Sequence, residues 1–257
     1  MGHSFPELDW ILDEGKNTII FCKTIALSFR IVCYLWSKAA QLPNHDKWIH
    51  LYNSLNWPTY SSETLGFLNN NKESLITMAT NTLSVGWDSQ FTWNAVLIGE
   101  PNDIDEFLQT IGCIGWNRKA VPNPHAFLYH SQSAIATAQQ LVDGPRKGAA
   151  WSDPAMTMDI SMARVLVAEC LMSAVDEPYE NPANDPPCFC STCQANLPVT
   201  WRQPAPKWLS PASPWNLFKV CTVSSQGGAS IRRAFSLSAS PFGRRWCGCW
   251  SCKIGRR

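Results

Sequence analysis

Thr18-Ile19-Ile20-Phe21-Cys22 is a run of five residues with four apolar side chains and no charge, and residues 26–36 behind it have the spacing of an amphipathic helix. A strand that is apolar at every position, not at alternate ones, is buried on both faces, and such strands belong to parallel sheets covered by helices on each side. The pattern repeats outward from this pair. Upstream, Phe5, Leu8, Ile11 and Leu12 recur at helical spacing until Glu14-Gly15-Lys16-Asn17 closes the turn. Downstream, residues 48–52, 75–79, 95–98 and 125–129 read as further short strands. Between them, Ser61-Ser62-Glu63 caps a helix through Leu68 that Asn69-Asn70-Asn71 ends, and residues 102–111 and 133–142 are helical. Asp103, Asp105 and Glu106 suit the positive end of the helix dipole. Strands alternating with helices at this spacing predict an α/β fold on a parallel sheet.

The chain has 257 residues, which suits one large domain or two small ones, and its 45% hydrophobic content is enough for a core. Its formal charge of +1 hides a partition. Residues 1–200 hold 11 Lys/Arg and all 20 Asp/Glu, whereas residues 201–257 hold 10 Lys/Arg and no acid. An acidic body therefore carries a basic tail. The first ten residues include Glu7 and Asp9 where a signal peptide would need an apolar stretch. Residues 24–36 are interrupted by Arg30 and fall short of the roughly 20 residues that span a bilayer. The expectation is a soluble, intracellular protein with no membrane partner. In that reducing setting Cys22, Cys33, Cys113 and Cys170, scattered among apolar residues, read as small core hydrophobes. Residues 1–142 form the predicted lobe, and 143–177 a helical appendix with one helix over 161–174. Residues 178–257 form a Pro-rich, Cys-rich basic tail, largely disordered unless a metal organises it; nine of the 18 prolines fall between 178 and 214.

Two further stretches carry chemistry. Met78-Ala79-Thr80-Asn81-Thr82-Leu83-Ser84-Val85-Gly86-Trp87-Asp88 runs from a strand end into a loop, and Gln109-Thr110-Ile111-Gly112-Cys113-Ile114-Gly115-Trp116 follows the helix after the next strand. With residues 18–24, and in this order, they resemble the C-terminal RecA-like lobe of superfamily 2 helicases. The RecQ-like DNA helicases, particularly a group expanded in fungi, are the most similar. The first element resembles the family's A-T-x5-G-x-D, and the second stands where the family has Q-x-x-G-R-x-G-R. The resemblance covers a little over half the chain. It implies nucleic-acid contacts by Thr24, Thr80, Asn81 and Ser84, and a nucleotide-facing remnant in Gly86, Asp88 and Gln109. It also implies ATP and Mg²⁺ as the family's cofactors, single-stranded or duplex DNA as partner, and a nuclear location.

The departures are as informative. The string G-x-x-x-x-G-K-[ST] does not occur: Gly15-Lys16 is followed by Asn17 and lacks the earlier glycine. Trp10-Ile11-Leu12-Asp13-Glu14 imitates a Mg²⁺-binding strand but has a helical period and reads as a solvated helix end. Cys113 and Trp116 stand where the family places the two arginines that stabilise charge on the transferred phosphoryl group, a contribution of roughly 10³–10⁵ in rate. Neither can carry that charge. Arg118 and Lys119 are nearby, but two or three residues along a helix points them to another face. Both replacements are single C-to-T changes from arginine codons, consistent with a decaying gene copy. The chain is expected to have no ATPase activity alone.

Cys188-Phe189-Cys190-Ser191-Thr192-Cys193 and Cys247-Gly248-Cys249-Trp250-Ser251-Cys252 repeat one C-x-C-x2-C pattern. Thiolates this close can converge on a tetrahedral Zn²⁺, with the fourth ligand from the other cluster or Cys221. Arg232-Arg233, Arg244-Arg245 and Arg256-Arg257, interleaved with aromatics, could grip phosphates and stack on unpaired bases, or serve only as a solubilising tail. Three functional classes stay open: a helicase lobe with residual DNA binding, a module docking on a helicase N-terminal lobe or a full-length helicase, and a zinc-organised DNA-binding protein.

Overall fold

The computed structural model describes residues 4–40, 47–70, 75–80, 83, 87, 89–117, 119–122, 124–144 and 158–180, and the backbone of 217–222. Its centre is β1, Thr18–Cys22, buried at all five positions as its unbroken apolar run requires. β2 (Ile49–Tyr52), β3 (Ile76–Ala79), β4 (Asn94–Ile98) and β5 (His125–Tyr129) join it in one sheet of order β2-β3-β1-β4-β5-β6. The first five strands are parallel, with Ile20 of β1 level with Met78 of β3 and Val96 of β4. β6, Leu217–Thr222, pairs antiparallel with β5. It is a regular element inside the stretch for which the sequence gives none. The remainder of 178–257 lies outside the described residues, apart from a 3-10 turn at Glu177–Tyr179 and Glu180.

Pleating sends successive side chains to opposite faces, and two hydrophobic clusters result. Ile20, Cys22, Leu51, Met78, Val96 and Phe127 pack under α1 (Asp9–Glu14) and α2 (Ile25–Ala39). Ile19, Phe21, Ala79, Leu97 and Leu128 pack under α4 (Ile104–Ile111) and α5 (Gln132–Asp143). The segment beyond the lobe joins this second cluster through Met162 and Leu166 of α6 (Ile160–Val167) and through Leu171 and Val175 of α7 (Leu171–Asp176). The single helix expected over 161–174 is thus two, because Ala168 is extended and the Cys170 sulfur restarts the helix by accepting from the Ser173 N–H at 3.4 Å. α3, Pro58–Leu68, begins a turn before the expected Ser61 cap, since the fixed φ of Pro58 suits a first helical position. Cys22 and Cys113 are buried as expected, whereas Cys33 faces outward from α2 and Cys170 is half-buried. No helix among the described residues is long and apolar enough to cross a membrane.

The amino-terminal end of the sheet is tied by polar groups. The buried Asn17 side chain accepts the Leu75 N–H at 2.9 Å, while its carbonyl takes the N–H groups of Trp93 (2.9 Å) and Asn94 (3.2 Å). Glu14 is more than a solvated helix end: one carboxylate oxygen holds Lys16 and the other accepts from the Asn94 amide at 2.8 Å. Trp10 donates to the Tyr129 hydroxyl, which donates to the Glu7 carbonyl at 2.9 Å. Burial raises the Tyr129 pKa, which keeps that donor protonated. Asn17→Ala strands the buried Leu75 N–H without its acceptor, a loss of about 1–3 kcal/mol. A lowered urea midpoint checks this; an unchanged midpoint contradicts the clamp.

Candidate functional site

β1 and β4 are neighbours whose following helices lie on opposite faces of the sheet, so a crevice opens beyond their carboxyl ends, where open α/β sheets bind ligands. Here it is shallow, enclosing about 20 Å³, room for roughly one water. Lys23, Gly99, Glu100 and Glu106 line it. The Lys23 ammonium donates to the Glu100 carbonyl at 3.3 Å. Glu106 is committed to a helix start: Asp103 caps α4 by accepting the Glu106 N–H at 2.7 Å, and the Glu106 carboxylate accepts the Asn102 N–H at 2.8 Å. Thr24 likewise caps α2, its hydroxyl accepting the Leu27 N–H at 3.2 Å. Burial pushes the Cys22 thiol up to about 12, so no thiolate nucleophile forms there.

Thr80 stands at the end of β3, beside β1, so the structure brings Thr24 and Thr80 to adjacent strand ends. The Thr80 N–H reaches the Tyr52 carbonyl of β2 at 3.4 Å, and the Thr80 carbonyl takes the Leu83 N–H. Leu83 is buried and Trp87 packs on the same cluster. Asn81, Ser84, Gly86 and Asp88 lie outside the described residues, as do Arg232, Arg233, Arg244, Arg245 and the six clustered cysteines. Among the described residues no group of three or more His, Cys, Asp or Glu could hold a metal. Sequence reasoning missed the turn from β2 into α3, where Leu55 and Trp57 are 72% and 81% exposed. The Trp57-Pro58 dipeptide after an asparagine-rich turn was the available signal.

The Gln109–Trp116 element leaves α4 in the direction opposite to the strands, toward the amino-terminal end of the sheet. Gln109, half-buried, accepts the Cys113 thiol on its carbonyl at 3.3 Å. Cys113 is 3% exposed, and its carbonyl takes the Ser89 N–H at 2.8 Å. Ser89, the residue after Asp88, is thus bonded to Cys113, the first of the two expected finger positions. Thr24 and Thr80 belong to the other end of the sheet. Trp116 is exposed, its indole N–H donating to the Gly112 carbonyl at 2.7 Å. α4 ends at Ile111, so the helical-face argument for Arg118 and Lys119 does not apply: Lys119 sits in a turn capped by Asn117, and Arg118 is outside the described residues. Gly115 is required where it stands. Its φ is +76°, and a Cβ there would meet the Pro124 ring at 2.5 Å.

No known protein family matches the sequence, and no curated protein does. Solved structures are similar over part of the chain. One is the C-terminal part of the Fun30 ATPase domain, with TM-score 0.41 and 14% identity over 67% of this chain and 51% of that one. Another is Mss116p DEAD-box helicase domain 2 bound to an RNA duplex, with TM-score 0.41 and 16% identity over 66% of this chain and 60% of that one. The chain therefore spans about half to three-fifths of the structures it matches.

Cys113 and Trp116, the two expected finger positions, differ in what they tolerate. Cys113→Arg puts a guanidinium into a buried site, with an expected loss of several kcal/mol. Trp116→Arg changes a surface residue and should shift stability by less than about 1 kcal/mol. Thermal melts of both variants check the contrast, and equal effects would contradict the burial difference.

Proposed function

We propose that this chain is the second RecA-like lobe of a superfamily 2 helicase of the RecQ-like group, acting in the nucleus as a nucleic-acid-gripping lobe without ATP hydrolysis of its own. The observation that supports this most is the Ser89–Cys113 backbone bond. It joins Ser89, the residue after the A-T-x5-G-x-D element, to Cys113 of the Q-x-x-G element. Gly115, required by its φ and by Pro124, supports the same reading, because it stands at the second glycine of the family's pattern.

The residues present do not fit a triphosphate. Lys23 and Thr24 follow β1, but no glycine stands between β1 and α2 to form a phosphate-cradling loop. The first helical residues, Ile25, Ala26 and Leu27, include no glycine to let a phosphate approach the backbone. The finger positions offer a buried thiol and an indole in place of two guanidinium groups. No step of ATP hydrolysis follows from these residues, and binding to DNA is what the reading retains. The full chain should bind labelled single-stranded DNA by fluorescence anisotropy and release no phosphate from ATP. Alanine at Arg232, Arg233, Arg244 and Arg245 should weaken binding and flatten its salt dependence, by about 0.7 in log–log slope for each phosphate no longer neutralised. Binding kept by residues 1–200 would assign grip to the lobe itself. ATP turnover, or no DNA binding by the full chain, would overturn the reading.

The same reading takes the paired C-x-C-x2-C clusters as a zinc site, since tetrahedral Zn²⁺ takes four thiolates and the clusters supply six. Metal analysis of the purified chain should find one zinc per chain, reduced in Cys188→Ser. A chain purified without zinc that neither takes it up nor loses DNA binding to a chelator would remove the metal from the proposal.

A further inference from the structure

The carboxyl-terminal edge of the sheet is divided by charge. On the β4 side stand Glu100, Asp103, Asp105 and Glu106. On the other side, residues 22–24, 79–80 and 52–62 carry no carboxylate and include the exposed Lys23, the next acid in the chain being the exposed Glu63 in the second turn of α3. A polyanion reaching this edge is therefore turned toward the ends of β1, β3 and β2. At the β2 end the chain makes an ordered turn. The Asn53 side chain accepts the Leu55 N–H at 2.9 Å, and the Asn56 amide donates to the Leu51 carbonyl at 2.6 Å. The Tyr60 hydroxyl accepts the Leu51 N–H from the first turn of α3. Trp57 follows, in extended backbone and locked by Pro58. This framework holds an indole 81% exposed. Trp57 belongs to the turn that leaves Tyr52, the residue whose carbonyl accepts the Thr80 N–H.

We propose that Trp57 is a stacking platform for one unpaired base of a single-stranded nucleic acid whose phosphates cross the ends of β3 and β1. The inference rests on the nucleic-acid reading above and assigns it a residue and a substrate form. An exposed indole on a fixed backbone takes any base by its π-face, so the contact is indifferent to sequence. Thr80, Thr24 and Lys23 supply the neighbouring polar and cationic groups for the backbone, and the acidic half keeps the phosphates off β4.

The test is anisotropy of labelled oligothymidine and oligouridine with the full chain, wild type against Trp57→Ala, Trp57→Leu, Trp57→Phe and Trp36→Ala. Because Trp57 is so exposed, these changes leave the core intact. Trp57→Ala and Trp57→Leu should weaken binding by about 5- to 150-fold, the range for one stacked base. Trp57→Phe should restore most of it, and Trp36→Ala, on the outer face of α2, should leave it unchanged. Preference between the two oligomers tells a DNA ligand from an RNA one. If wild type binds and Trp57→Ala binds equally, the platform is wrong and the nucleic-acid reading stands. If Trp57→Leu matches wild type, the contact is apolar and stacking is excluded. If wild type binds neither oligomer, both readings fall.

Discussion

Asn17 stands where three strands must be aligned, and it satisfies backbone donors from both neighbours of β1. Its amide side chain takes Leu75, at the entry to β3, and its carbonyl takes Trp93 and Asn94, at the entry to β4. These bonds fix the register in which Thr18 lies opposite both Ile76 and Asn94. A one-residue slip would move every side chain of a strand to the other face. In a sheet buried on both sides that would exchange Ile19 and Phe21 with Ile20 and Cys22 between two differently shaped clusters. The clamp also lies beside Glu14, whose carboxylate holds the Asn94 amide, so the helix before β1 is bound to the same end.

Strands aligned in this way give the molecule two working ends. The carboxyl ends of β1 and β3 present Thr24 and Thr80 side by side, as strand polarity requires of residues that each follow a strand. The return from α4 carries Gln109, Cys113 and Trp116 to the other end. There the loop after β3 comes back to meet them through Ser89. Of the residues between β3 and β4, Thr80 stands at one end of the sheet and Ser89 meets Cys113 at the other, while Leu83 and Trp87 pack in the hydrophobic cluster.

The strands were legible because each is a short, nearly unbroken apolar run between turn residues, and β5 falls on its expected bounds. Local chemistry explains where reading failed. Two start signals competed for α3, and proline at the first position outranked Ser61-Ser62-Glu63. Nothing in Ala168-Glu169-Cys170 marks a helix break, since the break depends on packing against α4 and α5. β6 exists through pairing with β5, a contact about ninety residues away in sequence that no local pattern announces. At the candidate site the positions of Thr24 and Thr80 could be read from strand ends. The burial of Cys113 could not, because it depends on α4 stopping at Ile111 and on the turn forced by Gly115 against Pro124.

The division of charge along the carboxyl-terminal edge bears on the approach of a ligand as well as on contact. Neighbouring strands lie about 4.8 Å apart, less than the roughly 8 Å over which physiological salt screens a charge. Lys23 at the end of β1 and the carboxylates beyond β4 give this edge an uneven distribution of charge. An uneven edge changes how often a polyanion arrives in a given orientation, and that effect appears in the association rate and fades with ionic strength. In the reading proposed above, the edge biases the direction from which a strand arrives before any side chain touches it.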